Sequence, residues 1–442
     1  MLAVDPLAGL ELPVPRLPRL RAVEPRWVRL GDELRLWLRD PLELSDRMAL
    51  VPEVLLPLLA MLDGTHDARA LAASFGLRTG IPLSTSTVET ILRELDEALL
   101  LEGPRYERAV ARLLAAYRAL PHRPPALAGR SYPDDPDALD TLLEAFVAAW
   151  QEMVAAASTG TAGTPEAAPG ALGPIARAAG VLSPHIDYGR GGLLYAGTWQ
   201  AALAAVASAE VIVIFGTDHA GGPGRLTPTA QRYATPWGAL EVDRAAVEAV
   251  AAALGEEAYT EELHHRSEHS IELAVIWLHW ALRRAGRDPA GAPLVPLLCG
   301  SFQCWMGTEE RPAGPPAAAL AALARAIEGR RTLVVAAADL AHVGPAFGDA
   351  APLSEEAKQA LAAGDAGMLE TIAAGDAEGF LAYLRAEGDR RRVCGLPPIY
   401  WAMRLLDRLG GQPARGRLVG YDQCPADERG GSVVSIAGML WE

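Results

Sequence analysis

The stretch "VIVIFGTDHAGG", residues 211–222, decides the fold. Val211 to Phe215 are five consecutive apolar residues, β-branched or aromatic, and Gly216 closes the run. Such a short glycine-bounded run reads as a strand buried on both faces, the kind found in a parallel sheet covered by helices. The chain then delivers Thr217, Asp218 and His219. In an open α/β sheet the ligand site lies just beyond the carboxyl ends of the strands. An imidazole three residues past such a strand therefore stands where chemistry is done.

The same pattern repeats on either side. Apolar runs at 180–185, 294–299 and 332–338 read as further strands, and 416–421 and 432–440 as two late ones. Helical periodicity covers about 192–209, 243–254, 269–285, 315–328, 354–386 in pieces, and 395–409. The fold class is α/β, a central sheet flanked by helices. Two more strands end in histidine. "VLSPHIDYGRGG" puts His185 at the end of the first, and "VVAAADLAHVG" puts Asp339 and His342 just after the fourth. Three strands thus release an imidazole on one rim. Gly189, Gly191 and Gly192 after His185, and Gly221 and Gly222 after His219, are expected to supply positive-φ turns or close backbone approach. The G-R-G-G run lacks both the dinucleotide-binding spacing and the lysine of a phosphate loop.

Other candidates lie off the strands. Cys394 precedes Gly395 at the start of the helix "GLPPIYWAMRLLDRL", and a helix N-terminus favours a thiolate. His269 and Glu272, in "EHSIE", share one face at the start of an apolar helix. They read as pocket-lining or ligand-backing residues, with helix capping as the alternative. Asp187 and Asp218 flank the first two imidazoles and belong to the same set. His264 and His265 read as surface loop residues, with a pocket role as the alternative, and His66, His122 and His279 as ordinary histidines. Trp277 and Trp280 read as core. Cys299 and Cys304 lack the second cysteine pair of a structural zinc site.

The N-terminal third has a different pattern. Residues 1–26, with five prolines, read as a flexible arm. "WVRLGDELRLWLR", residues 27–39, alternates across a Gly-Asp turn and reads as a hairpin. Helices are expected at about 51–62 and 68–75, and from a capping box of Ser86 and Glu89 to Gly103. Residues 27–104 thus read as a small α+β domain, which resembles a winged-helix-like fold. Residues 105–125 read as a linker helix and a Pro-rich connector, and a second domain begins at 126. A helix is expected from 134–137 to about 154, followed by an Ala/Gly/Thr/Pro-rich flexible insert at 155–174.

Bulk properties exclude several classes. A chain of 442 residues holds about two or three domains. The net charge of −15 opposes a nucleic-acid binder, which needs a basic face. No run of about 18 apolar residues suggests a membrane span. Four cysteines and no signal-peptide pattern imply reduced thiols and a cytoplasmic location.

The motifs "AGRSYP", "SPHIDYGRGG", "FGTDHAG", "SEHSIELAVIWL", "LLCGSFQ", "AADLAHVGPAFGD" and "VCGLPPIYWAMRLL", in that order, resemble the Memo family, in bacteria the AmmeMemoRadiSam system protein B family, over about 126–442. The resemblance implies the fold of the class III extradiol dioxygenases. It also implies one metal ion on the His of "PH", the His of "G-x-x-H" and the Cys of "CG-x-x-P-I", here His185, His219 and Cys394. Iron is the expected metal, with copper or zinc as alternatives. By the same resemblance His342 is the catalytic acid/base, with Asp339 orienting it or a ligand. The dioxygenases carry a carboxylate where Cys394 stands, which puts catechol cleavage in doubt, and Asp218 replaces a usual Ser. The expected function is oxygen-dependent redox chemistry on a small molecule or peptide. The alternatives are a zinc hydrolase and a non-enzymatic metal-binding adaptor. The 27–104 module resembles a PqqD-like domain, which implies a leader peptide or partner protein as its ligand.

Overall fold

The protein is described by a computed structural model covering residues 13–158 and 178–442, apart from Ala22 and Pro41. Chain contacts divide it into two compact units, Met1–Ala119 and Leu120–Glu442.

In the first unit β1 (Glu24–Leu30) and β2 (Glu33–Arg39) form the expected hairpin, with Gly31 at φ 60° in its turn. β3 (Ala49–Pro52) adds to β2. This corrects the helix expected from Val51. A β-branched residue before a proline is held extended, so helical structure starts with a 3₁₀ turn at Glu53–Leu55 and α1 (Leu56–Leu59). α2 (Ala68–Thr79) and α3 (Thr85–Glu97) follow. The α3 cap is Ser84, whose hydroxyl accepts the Thr87 N–H at 3.0 Å, not Ser86. Ser84 is the residue with extended backbone, as an N-cap requires. The arm ends earlier than expected: Leu20 N–H bonds the Leu62 carbonyl, and buried Arg21 pairs with Asp40 at 2.6 Å. The remainder of the expected arm, 1–12, lies outside the described residues. α4 (Pro104–Ala119) belongs to this unit instead of forming a linker, tied by Arg105 to Asp96 at 2.9 Å. Leu58, Leu71, Phe75, Val88 and Leu101 centre the core.

The second unit begins with residues stitched to it. The Arg123 N–H bonds the Arg232 carbonyl, and the Ala234 N–H bonds the Arg123 carbonyl. α5 (Pro136–Ser158) runs past the expected stop at 154. Most of the expected insert lies in 159–177, outside the described residues. Then come β4 (Gly180–Ser183), α6 (Tyr188–Ser208), β5 (Val211–Thr217), and three short strands: β6 (Leu226–Pro228), β7 (Tyr233–Thr235) and β8 (Gly238–Leu240). α7 (Arg244–Leu254), α8 (Ser270–Arg284), β9 (Leu294–Cys299), α9 (Gln303–Met306) and α10 (Pro315–Ala326) follow. The chain closes with β10 (Thr332–Ala337), β11 (His342–Val343), α11 (Glu355–Ala373), α12 (Ala377–Ala386), α13 (Leu396–Gly410), β12 (Gly416–Pro425) and β13 (Val433–Trp441).

The main sheet has the order β11-β13-β4-β10-β5-β9-β6, with β12 beside β13. β4, β10, β5 and β9 are parallel, and β7 and β8 pair apart from it. β5 is buried at every residue, as its unbroken apolar run dictates. α6 and α8 pack together on the sheet, as do α7, α10 and α13. β10 is inserted between β4 and β5, so three strand ends distant in sequence become neighbours. Gly189, Gly191 and Gly192 are not positive-φ turn residues, because the chain enters α6 there directly. Gly192 instead admits the Phe146 ring, which a Cβ would meet at 2.4 Å.

Candidate metal centre

His185, His219 and Cys394 converge. Cys394 Sγ lies 3.3 Å from His185 Nε2, and the His185 and His219 rings are 5.2 Å apart. His269 joins them. Its ring stacks on His219 at 4.7 Å with a 17° tilt and stands 5.3 Å from His185. One ring nitrogen from each of these three histidines lies within 4.8 Å of the others.

Each side chain is aimed by its local backbone. Asp339, just past β10, accepts the N–H groups of His185 at 2.8 Å and Ile186 at 3.2 Å, which pins the end of β4. Its carbonyl accepts the Gly395 N–H at 3.0 Å, and this draws the Cys394 loop onto the same strand end. Gly395 permits that approach: a Cβ there would meet the Asp339 carbonyl oxygen at 2.3 Å. His185 is enclosed, whereas the side chains of His219 and His269 are 38% and 37% exposed, so the cluster opens on that side.

The electrostatics favour metal-binding protonation states at the enclosed donors. Burial holds His185 below the ordinary imidazole range, so it is neutral and carries a lone pair. Burial pushes the Cys394 thiol up, but the imidazoles of His185 and His219 outweigh it and bring the thiol below its usual value. Burial likewise opposes charge on His219, and the Glu268 carboxylate overcomes it, placing His219 well above the usual range. Glu268 itself resists its burial through His219 and His269 and stays well below the normal carboxylate range. Burial raises Asp339, with the His185 N–H acting against it.

The other expected residues divide. His342 is half-buried, with Nδ1 3.2 Å from the Leu340 carbonyl and the Phe347 ring 5.0 Å away. Burial lowers it, partly offset by the charge of Asp339. Asp218 is buried and accepts from His264 Nδ1 at 2.9 Å. Together with Glu261, which pairs with Arg225 at 3.3 Å, it forms a second histidine–carboxylate group. Asp187 caps α6 through the Arg190 N–H at 3.2 Å, which is the work of a helix cap. Glu272 is spent elsewhere: its carboxylate pairs with Arg123 at 2.5 Å and accepts the N–H groups of Ala126 and Leu127 and the Tyr132 hydroxyl. Of the two readings of His264 and His265, the surface one fails: His264 is largely covered beside Asp218. His265 is fully enclosed between the Tyr233 hydroxyl at 2.7 Å and the Thr227 carbonyl at 2.9 Å. Trp277 and Trp280 are core.

A family profile described as "Memo-like protein" matches residues 123–440. The chain belongs to the Memo family. The MEMO1 family protein of Thermus thermophilus is 31% identical over 342 residues, 77% of this chain and 90% of the relative. That of Aquifex aeolicus is 24% identical over 410 residues, 91% of this chain and 95% of the relative. That of Methanosarcina acetivorans is 27% identical over 236 residues. In this Memo family chain, Glu268 and Arg123 are residues near the cluster that the sequence did not mark. Glu268 stands beside His219 and His269, and buried Arg123 bonds the backbone carbonyls of His265 and Glu268. The only sequence signal was an acid directly before His269, which reads equally as a helix cap. Among the described residues no helix is long and apolar enough to cross a membrane.

Proposed function

We propose that this chain holds one iron ion on His185, His219 and Cys394 and performs oxygen-dependent redox chemistry on a small molecule or peptide. The observation that carries the reading is the meeting of Cys394 Sγ and His185 Nε2 at 3.3 Å beside His219. The donors fit such an ion: two imidazoles and a thiol brought toward its thiolate form make a nitrogen/sulfur set suited to iron, copper(I) or zinc. Bound there, iron would supply the electron-transfer and oxygen chemistry that side chains lack. His185 closes the inner side against water, and the exposed edge at His219 and His269 admits substrate. His342, neutral by burial and with Nδ1–H directed at the Leu340 carbonyl, offers Nε2 to take a proton. Asp339 keeps His185 and the Cys394 loop in register.

The test is metal content of anaerobically purified wild type beside His219→Ala and Cys394→Ser, with oxygen consumption measured in parallel. Iron in the wild type, lost in both variants, supports the site. Full metal retention in both variants refutes it. Zinc without oxygen uptake turns the reading to a hydrolase with activated water. Tight copper(I) without turnover turns it to a non-enzymatic adaptor.

For the N-terminal unit we propose an extended peptide as partner. Its support is a cavity of about 470 Å³ between β3 and α3, lined by Val51, Leu55, Leu58, Ile91 and Leu95. β3 has β2 on one side and stands at the end of its sheet. An edge strand beside a largely apolar cavity suits strand addition. Display of random peptides on phage against the full chain tests this. Capture lost on Ile91→Glu supports it, and capture unchanged by that substitution rejects it.

A further inference from the structure

We propose that Glu268 is the positioning residue of the centre, one carboxylate that fixes the orientation of both His219 and His269 and so makes His269 a further inward donor. The inference rests on the metal reading above. Glu268 is buried just ahead of α8. Its Oε2 stands 3.1 Å from His219 Nδ1 and accepts the His219 backbone N–H at 3.1 Å. Its Oε1 stands 3.1 Å from His269 Nδ1 and accepts the backbone N–H groups of His269 at 2.7 Å and Ser270 at 2.9 Å.

Capping α8 requires only the last two of these bonds. It gives no reason for two imidazoles, one from the end of β5 and one from the start of α8, to bring their Nδ1 atoms to the same carboxylate. A neutral imidazole carries a single N–H. When Nδ1–H is given to Glu268, the lone pair left on each ring belongs to Nε2. His185 reaches the same state by another route: Nδ1 lies 3.0 Å from the Ala337 carbonyl, and Nε2 faces Cys394. Three rings from three elements thus share one tautomer, with ring nitrogens mutually within 4.8 Å. Partners that fix the ring orientation of ligating histidines are the usual companions of metal sites. Arg123, wholly enclosed, holds the brace itself by donating Nη2–H to the Glu268 carbonyl at 2.9 Å.

Cobalt(II) titration of the full chain, followed by visible absorption, compares wild type with Glu268→Gln. Glutamine keeps an amide oxygen for the two α8 cap bonds but cannot accept from both rings. We expect cobalt Kd to rise by about 10- to 100-fold in the folded variant. A rise below tenfold overturns the proposal. Should Glu268→Gln fail to fold, ¹⁵N resonances of the wild-type imidazoles at alkaline pH decide. Nδ1–H at both His219 and His269 supports the brace, and Nε2–H at either overturns it. Should wild type bind no cobalt, the metal reading falls by itself and the ¹⁵N result still judges Glu268.

Discussion

Replacing Glu272 by glutamine separates a structural carboxylate from a pocket residue. Arg123 and Glu272 form an ion pair at 2.5 Å, with side-chain exposures of 0% and 1%. The same carboxylate takes N–H groups from Ala126 at 2.9 Å and Leu127 at 2.8 Å, and the hydroxyl of Tyr132. Glutamine preserves the shape, removes the charge and turns one acceptor into a donor that faces donors. Removing one partner of a buried pair costs about 3–5 kcal/mol, because the other charge remains buried without compensation. Domains of 150–250 residues lose roughly 2–4 °C per kcal/mol. At the lower rate, which suits a larger unit, the expected fall is about 6–10 °C. Calorimetry of the full chain measures it, and the transition of the first unit should stay in place. A shift under about 2 °C refutes the reasoning. A loss of bound metal at unchanged unfolding temperature would return Glu272 to the pocket.

Acid should weaken the second unit. Burial pushes His265 down to about 3 against about 6.5 in the unfolded chain. Its folded-state contribution is therefore complete above about pH 6.5 and is lost as pH falls toward 3, since the unfolded chain binds the proton first. At pH 5 the loss is about 2 kcal/mol. His279, held near 4 by burial, adds in the same direction. Unfolding temperatures at pH 7 and pH 5 check this, and His265→Gln should flatten the difference; an equal difference in that variant contradicts it. Ser84→Ala should cost the first unit about 1 kcal/mol and Ser86→Ala almost nothing, read by denaturant titration. The opposite ranking would restore the cap to Ser86. Gly395→Ala places a methyl 2.3 Å from the Asp339 carbonyl oxygen, so we expect about 1–3 kcal/mol of destabilisation together with reduced metal content. Wild-type values for both would show that the Cys394 loop adjusts freely.

β5, β9 and β10 were legible because each is a short, largely apolar run, and β9 falls on the residues its pattern marked. That His185, His219 and Cys394 meet was legible because the two histidines follow strand ends on one rim of the sheet and the motif around Cys394 resembles that of the Memo family. The short strands β6, β7 and β8 were not, since three residues carry no periodicity. His265 was missed for a related reason: "ELHHR" looks hydrophilic, and only the Tyr233 and Thr227 contacts reveal that it is enclosed. Glu272 was misread because its position on the helix face was right and its partners, from Arg123 to Tyr132, lie far earlier in the chain. Glu268 shows the same limit. A carboxylate one residue before an imidazole says nothing about a second imidazole 49 residues away.

The strand order has a consequence during synthesis. When β4 and β5 have left the ribosome, the slot between them awaits β10, more than a hundred residues downstream, and the other edge of β4 awaits β13, the last strand made. A nascent chain therefore carries its first two imidazoles long before the thiol at 394 exists, with an apolar β4 edge open on both sides. Pairing of that open edge with another nascent chain is a hazard in that interval, and slower synthesis lengthens it.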